Sequence, residues 1–189
     1  MNDQIRLAVL VGSTRQGRRA PQVSRWFVEQ AERYGGVKVD VLDLAELGLP
    51  ESLDGADPAV AAVRPRIDDA DAFVVVVPEY NHSFPAPIKT AVDSFYKEWQ
   101  AKPVGFVSYG GMSGGLRAVE QLRQIFAELH MVSVRDGVSF HNVWGHVGPD
   151  GEFPVEPDGC GQAARTMLDQ LVWWANALRD AKRRAPYGS

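Results

Sequence analysis

The sequence predicts an α/β protein, a doubly wound five-stranded parallel sheet of order 2-1-3-4-5 with helices on both faces. Two observations carry this reading. Short, nearly continuous apolar runs alternate along the chain with runs whose apolar residues recur at helical spacing. The apolar runs are also strand-length, as expected for strands buried on both faces of a sheet. The 189 residues suit a single domain, residues 1–189, with no internal repeat.

Residues 5–11 read as the first strand, followed by a helix with Val23, Phe27, Ala31 and Tyr34 on its apolar side, stopped by Gly35 and Gly36. Residues 37–44 read as the second strand, and 58–69 as a helix whose apolar side is Ala59, Ala62, Val63 and Ile67. Residues 72–77 form the clearest buried strand, ending at Pro78. Pro85 and Pro87 suit the first turn of a helix striped by Ile88, Ala91, Val92 and Phe95. The fourth strand is 103–109, and Leu116, Val119, Leu122, Phe126 and Leu129 mark the next helix. Residues 131–134 read as the fifth strand, and Met167, Leu168, Leu171, Ala175 and Leu178 as the stripe of the last helix. The right-handed crossover rule then limits the winding to few alternatives.

Residues 141–161, rich in Gly, Pro and acids, read as a long loop, and Lys182 to Arg184 as a solvated helix end. Trp173 and Trp174 suggest core packing or a subunit contact. Phe95, Tyr96 and Trp99 leave core, interface and pocket wall open.

Lys plus Arg number 20 against 24 Asp plus Glu, a net charge of -4, which offers no broad basic surface to a nucleic acid. Cys160 is the only cysteine, so an intrachain disulfide or cysteine-based zinc cage is excluded. No apolar stretch approaches the roughly 18 residues of a spanning helix, and the polar start shows no signal peptide. The expectation is a cytoplasmic protein away from membranes. His82, His130, His141 and His146 lack metal-binding spacing, so no metal site is expected. The absence of a G-x-S-x-G elbow weakens a serine hydrolase reading.

In a doubly wound sheet, ligands bind beyond the carboxyl ends of the strands, where the strand order switches. The loop after the first strand is Gly12-Ser13-Thr14-Arg15-Gln16-Gly17-Arg18-Arg19. Its glycines and hydroxyls free backbone N–H groups just before a helix, where an anion is favoured. Arg15 and Arg18 add charge-assisted donors for a phosphate. The loop nearly matches the triphosphate P-loop, but Arg18 and Arg19 stand where that motif needs Lys and a magnesium-binding hydroxyl. An ATPase reading fails there; an ordinary polar turn remains the plain alternative.

The loop after the third strand is Pro78-Glu79-Tyr80-Asn81-His82-Ser83-Phe84-Pro85. Tyr80 could supply a flat face and Asn81 edge hydrogen bonds for a planar heterocycle. A proline-stiffened turn whose aromatics cap the core fits equally. The loop after the fourth strand, Ser108-Tyr109-Gly110-Gly111-Met112-Ser113-Gly114-Gly115, is glycine-rich. Such a backbone can approach a ligand closely and meet developing negative charge, or can simply be a connector.

Together these loops resemble the NADPH-dependent FMN reductase family of flavodoxin-like proteins. Lys89 and the run from Lys102-Pro103 to Gly114-Gly115 add to the likeness, which covers roughly residues 5–130. The resemblance implies that Ser13, Thr14, Arg15, Gly17 and Arg18 hold the phosphate of FMN. It implies that Pro78, Glu79, Tyr80 and Asn81 contact the flavin and ribityl chain, and that Ser108, Tyr109, Gly110 and Gly111 line the isoalloxazine edge. The implied reaction is hydride transfer from the nicotinamide of NADPH (or NADH) to flavin N5. The electrons then pass to a quinone, azo compound, metal oxyanion or free flavin. The N–H groups of Gly110 and Gly111 would meet charge growing near N1, and no side chain need act as nucleophile or base. The family implies a homodimer or homotetramer and a small-molecule acceptor. A flavodoxin-like electron carrier and a non-redox phosphate- or nucleotide-binding module remain open as alternatives.

Overall fold

The computed structural model describes residues 4–154 and 159–188. Strands β1 (Ile5–Val11), β2 (Val37–Asp43), β3 (Ala72–Pro78) and β4 (Pro103–Tyr109) lie close to their expected positions. Two short strands, β5 (Val132–Ser133) and β6 (Val138–Phe140), complete a sheet of order β2-β1-β3-β4-β5 in which β6 also pairs with β4. Every pairing is parallel.

Period-two alternation sends the two sides of each central strand into separate cores. Leu7, Val9 and Val11 of β1 pack under α1 (Ala20–Tyr34) and α6 (Cys160–Arg184). Ala8 and Leu10 face the opposite way. That second core is closed by α3 (Pro58–Asp68), α4 (Ala86–Asp93) and α5 (Leu116–Glu128). The four-residue α2 (Leu44–Leu47) follows β2 directly, capped by Asp43. Among the described residues no helix is long and apolar enough to cross a membrane.

The expected fifth strand is split. Val132 and Ser133 pair with Pro103 and Val104, the chain bulges outward, and residues 138–140 rejoin β4 beside Val107 to Tyr109. At the return, a side chain on Gly137 would sit 2.9 Å from the Phe106 carbonyl. The polar backbone of the bulge is satisfied by side chains of neighbouring helices: Arg123 donates to the Val134 and Arg135 carbonyls, and Gln170 accepts from the Asp136 N–H. Arg-Asp-Gly at 135–137 breaks the apolar run, which hides β6 from a pattern search.

The expected 141–161 loop begins with a 3-10 turn, Val143–His146, and its residues 155–158 lie outside the described residues. Phe95 and Trp99 belong to the core while Tyr96 is exposed. Trp174 packs against the α1/α6 core and Trp173 is exposed beside it, their rings edge to face.

At the sheet's amino-terminal edge, Lys102 is buried and donates from Nζ to the Ile67 and Asp68 carbonyls at 2.9 and 2.7 Å, closing the end of α3. Burial, reinforced by Lys182, pushes its pKa from 10.5 down to about 8. Lys182 is therefore no solvated end; it is partly buried against this site, and only Arg183 and Arg184 are exposed. Between pH 8 and 10.5 the unfolded chain keeps a proton on Lys102 that the folded chain releases, so this group makes stability rise with pH. Urea titrations across that window are expected to show a slope of up to about 1.4 kcal/mol per pH unit from this group. The Lys102→Met variant is expected to lack that contribution; an unchanged slope would mean Lys102 titrates normally.

Candidate functional site

The carboxyl ends of β1, β3 and β4 are neighbours in the sheet, so the loops that follow them converge. The first begins tightly. Gly12 N–H donates to the Val76 carbonyl at 2.9 Å, and a side chain at Gly12 would collide with Ile88 of α4. Beyond it the backbone N–H groups of Ser13, Thr14, Arg15, Gln16, Gly17 and Arg19 have no hydrogen-bond partner among the described residues. Helix α1 starts at Ala20 with no side chain capping it and Pro21 in its first turn. The result is a run of unpaired donors leading into a helix amino terminus, a setting that favours an anion.

Arg18 gives this loop its shape. Its guanidinium forms a two-pronged bond with Asp43, Nη1 to Oδ1 at 2.5 Å and Nη2 to Oδ2 at 2.7 Å, and Nη1 also donates to the Ser13 carbonyl. The hydrogen bonds to Asp43 hold its pKa above the ordinary arginine value. Arg18 is therefore committed to bracing the loop from below. Arg15 is exposed, with no side-chain hydrogen bond or ion pair among the described residues.

In the second loop, Tyr80 and Ser83 exchange backbone hydrogen bonds at 2.8 and 3.0 Å around Asn81 and His82, both in the left-handed region with φ of 50° and 70°. This is a tight turn of the mirror-image type. Helix α5 grips it: Gln121 donates to the His82 carbonyl and accepts from Ser83 Oγ, while Arg117 lies 2.6 Å from His82 Nε2. Tyr80 Oη lies 2.7 Å from Ser13 Oγ, joining this turn to the first loop.

The third loop is held from within. Ser108 and Ser139 both donate to the Gly114 carbonyl at 2.8 Å. Gly115 has φ of 89°, and a side chain there would come within 2.7 Å of Ser108 Cβ, so only glycine fits without strain. Glu79 ties this loop to the second, accepting from Ser113 Oγ at 2.5 Å and pairing with Arg117 at 2.5 Å. Burial alone would raise the Glu79 pKa, but the bonds from Ser113 and Arg117 and the Arg117 charge bring it below the ordinary value. Glu79 stays ionised and structural.

Between the loops lies a cleft of about 560 Å³. Arg15, Gly17, Arg18 and Arg19 line it from the first loop, Pro78, Glu79, Tyr80 and Asn81 from the second, and Tyr109, Gly110 and Gly111 from the third. Its basic residues all come from the first loop, and the tyrosines Tyr80 and Tyr109 come from the other two. A model of the NADPH-dependent FMN reductase family matches residues 5–145.

The chain belongs to that family. Its chemistry is that of an FMN-dependent NAD(P)H oxidoreductase. An NAD(P)H-dependent FMN reductase of Schizosaccharomyces pombe is 33% identical over 67% of this chain and 68% of its own length. An NADPH:quinone oxidoreductase of Arabidopsis thaliana is 34% identical over 68% of this chain and 71% of its own length. The solved structure of FerB, an NAD(P)H:(acceptor) oxidoreductase of Paracoccus denitrificans, superposes with a TM-score of 0.71 at 24% identity, covering 92% of this chain and 98% of that one. That likeness supports the fold.

The family's cofactor fits the residues present. The unpaired N–H groups of the first loop suit a phosphate, and the cleft falls within the usual roughly 300–1,000 Å³ of small-molecule sites. Two further donors await a partner. The Gly111 N–H makes no hydrogen bond among the described residues, and Tyr109 Oη is buried without one of normal geometry. Burial, with Tyr80 nearby, raises the Tyr109 pKa, so its hydroxyl keeps its proton as a donor.

Three expected residues lie outside the cleft lining. Ser13 is buried with its hydroxyl on Tyr80, Thr14 faces a neighbouring hollow beside α2 and α4, and the Ser108 hydroxyl is spent on the glycine loop. The expected role of Gly110 changes too, because its N–H donates to the Phe140 carbonyl at 3.2 Å and only Gly111 retains a free one. Arg19, Val143 and Trp144 line the cleft unforeseen. An apolar pair, Val143-Trp144, inside a polar loop is the signal that could have marked the last two.

Proposed function

We propose that the cleft holds FMN with its phosphate in the first loop and its ring between the second and third. The observation that carries this is the run of unpaired N–H groups at residues 13–17 and 19, of which Arg15, Gly17 and Arg19 line the cleft. In this reading Arg15, Gly17 and the backbone N–H groups of Ser13 and Thr14 serve the phosphate, with Arg18 holding the loop in shape through Asp43. Pro78, Glu79, Tyr80 and Asn81 border the ring and ribityl chain, Glu79 through its backbone because its carboxylate is engaged by Ser113 and Arg117. Tyr109 and Gly110 line the ring end, and Ser108 supports them from beneath.

Bound FMN supplies hydride and electron transfer between a nicotinamide and a second substrate. The chain's part is to orient and to stabilise charge. The Gly111 N–H, unpaired among the described residues and on a residue that lines the cleft, would meet negative charge developing there. No side chain in the cleft is assigned as nucleophile or general base. NADPH is the proposed donor and a quinone the proposed acceptor, supported by the name of the Arabidopsis relative. The lone Cys160 suits a reducing cytoplasm, and the family resemblance supports a homodimer or homotetramer.

The test is an absorption spectrum after adding FMN and removing the excess, followed by anaerobic NADPH. Retained flavin absorbance that bleaches promptly is the expected result. Flavin retained without bleaching would favour an electron carrier, and flavin not retained would sink the reading.

A further inference from the structure

We infer that Trp144 is a specificity-determining residue that stacks on the flat face of an electron-poor aromatic acceptor of the naphthoquinone class. The inference rests on the cleft being the flavin site. Trp144 stands on an anchored base. Asn142 and Val143 donate their N–H groups to the Gly111 and Gly110 carbonyls at 2.8 and 3.0 Å, and the Val143 side chain is buried in the core. His146 closes the same turn, bonding the His141 carbonyl and packing edge-on against Phe140.

On this fixed base the Trp144 side chain is left 63% exposed at the mouth of the cleft. Its ring edge leans on Gly111, where a Cβ would lie 3.7 Å from Cζ3, so the glycine leaves the indole room against the loop. Its indole N–H has no hydrogen-bond partner among the described residues. A large aromatic side chain carried on an anchored turn at a cleft and left in water gains most when a planar partner covers it. The indole is electron-rich, so an electron-poor quinone ring is the complementary partner, with the N–H able to meet a quinone carbonyl. Trp144 also adjoins the glycine loop, whereas the arginines come from the first loop. An uncharged planar acceptor therefore matches its surroundings better than an anion.

The test compares FMN-treated wild type with Trp144→Ala and Trp144→Phe. Equilibrium dialysis with 1,4-naphthoquinone, on oxidised protein without electron donor, reads binding alone. Flavin fluorescence titration reads FMN affinity, and steady-state kinetics compare naphthoquinone with ferricyanide, which has no aromatic face. Removing the indole is expected to weaken naphthoquinone binding and raise its KM roughly three- to tenfold, a clearly larger factor than any accompanying change in FMN affinity, NADPH KM or ferricyanide turnover. Phe at this position should restore most of the loss. Unchanged naphthoquinone binding would overturn the inference, as would a parallel loss of FMN affinity or an effect confined to NADPH. If wild type retains no FMN, the flavin reading fails on its own, and the dialysis comparison still decides whether the indole binds the quinone.

Discussion

Replacing Arg15 by Ala is expected to weaken FMN binding by about one to two orders of magnitude, the loss of a charge-assisted phosphate bond of about 1.5–3 kcal/mol. Riboflavin, which lacks the phosphate, should bind almost equally to both proteins. The contrast with Arg18 explains the choice. Arg18 is held by Asp43 and the Ser13 carbonyl, so its removal would disturb the loop as well as the charge. Arg15 makes no such side-chain bond, and its removal should leave the fold alone. Flavin fluorescence titrations with the two ligands measure the difference. Equal FMN affinity in wild type and variant would remove Arg15 from the phosphate site, and equal losses for FMN and riboflavin would point to a damaged cleft.

The second large effect lies far from chemistry. Trp99→Ala is expected to cost about 3–5 kcal/mol of folding stability. Trp99 is fully buried, with Phe73, Phe126 and Phe95 at centroid distances of 4.8, 5.9 and 6.3 Å. Its indole N–H also donates to the Val92 carbonyl at 3.1 Å, fastening the end of α4 to the core. Truncation removes the aromatic contacts, leaves a void that close-packed neighbours fill only in part, and strips a carbonyl of its donor. The exposed Trp173 provides the control, since its truncation should fall within about 0.5 kcal/mol of wild type. Urea unfolding of the two variants measures both values. A loss below about 1 kcal/mol for Trp99→Ala would mean that the core relaxes around the missing ring.

Much of the architecture is legible in residue order. Phe73 to Val77 is a run of apolar residues too short for a helix of ordinary length and bounded by Pro78, and it is the central strand. The last helix reads from Met167, Leu168, Leu171 and Ala175 because its apolar spacing survives in any context. The edge of the sheet was harder. Val138 to Phe140 shows the alternation of a strand, but its three residues carry too little pattern, and pairing with β4 decides their state.

The three loops at the site could be picked out because small, polar and glycine residues cluster after strands, where ligands gather. The division of labour within them could not. Arg15 and Arg18 are identical residues three positions apart, yet one is unpaired and the other is locked to Asp43, 25 residues away. Ser108 looks like a candidate ligand hydroxyl, yet it is spent on the Gly114 carbonyl.

By itself, then, the sequence determined the strand–helix alternation, the sheet order it allows and the family, since periodicity and short motifs are properties of neighbouring residues. Tertiary structure decided which donors remain unpaired, which arginine is available, and that Trp144 reaches the cleft from a loop outside the motifs. A hydrogen bond or a wall depends on distances between residues far apart in the chain, and those exist only once the sheet has brought its loops together.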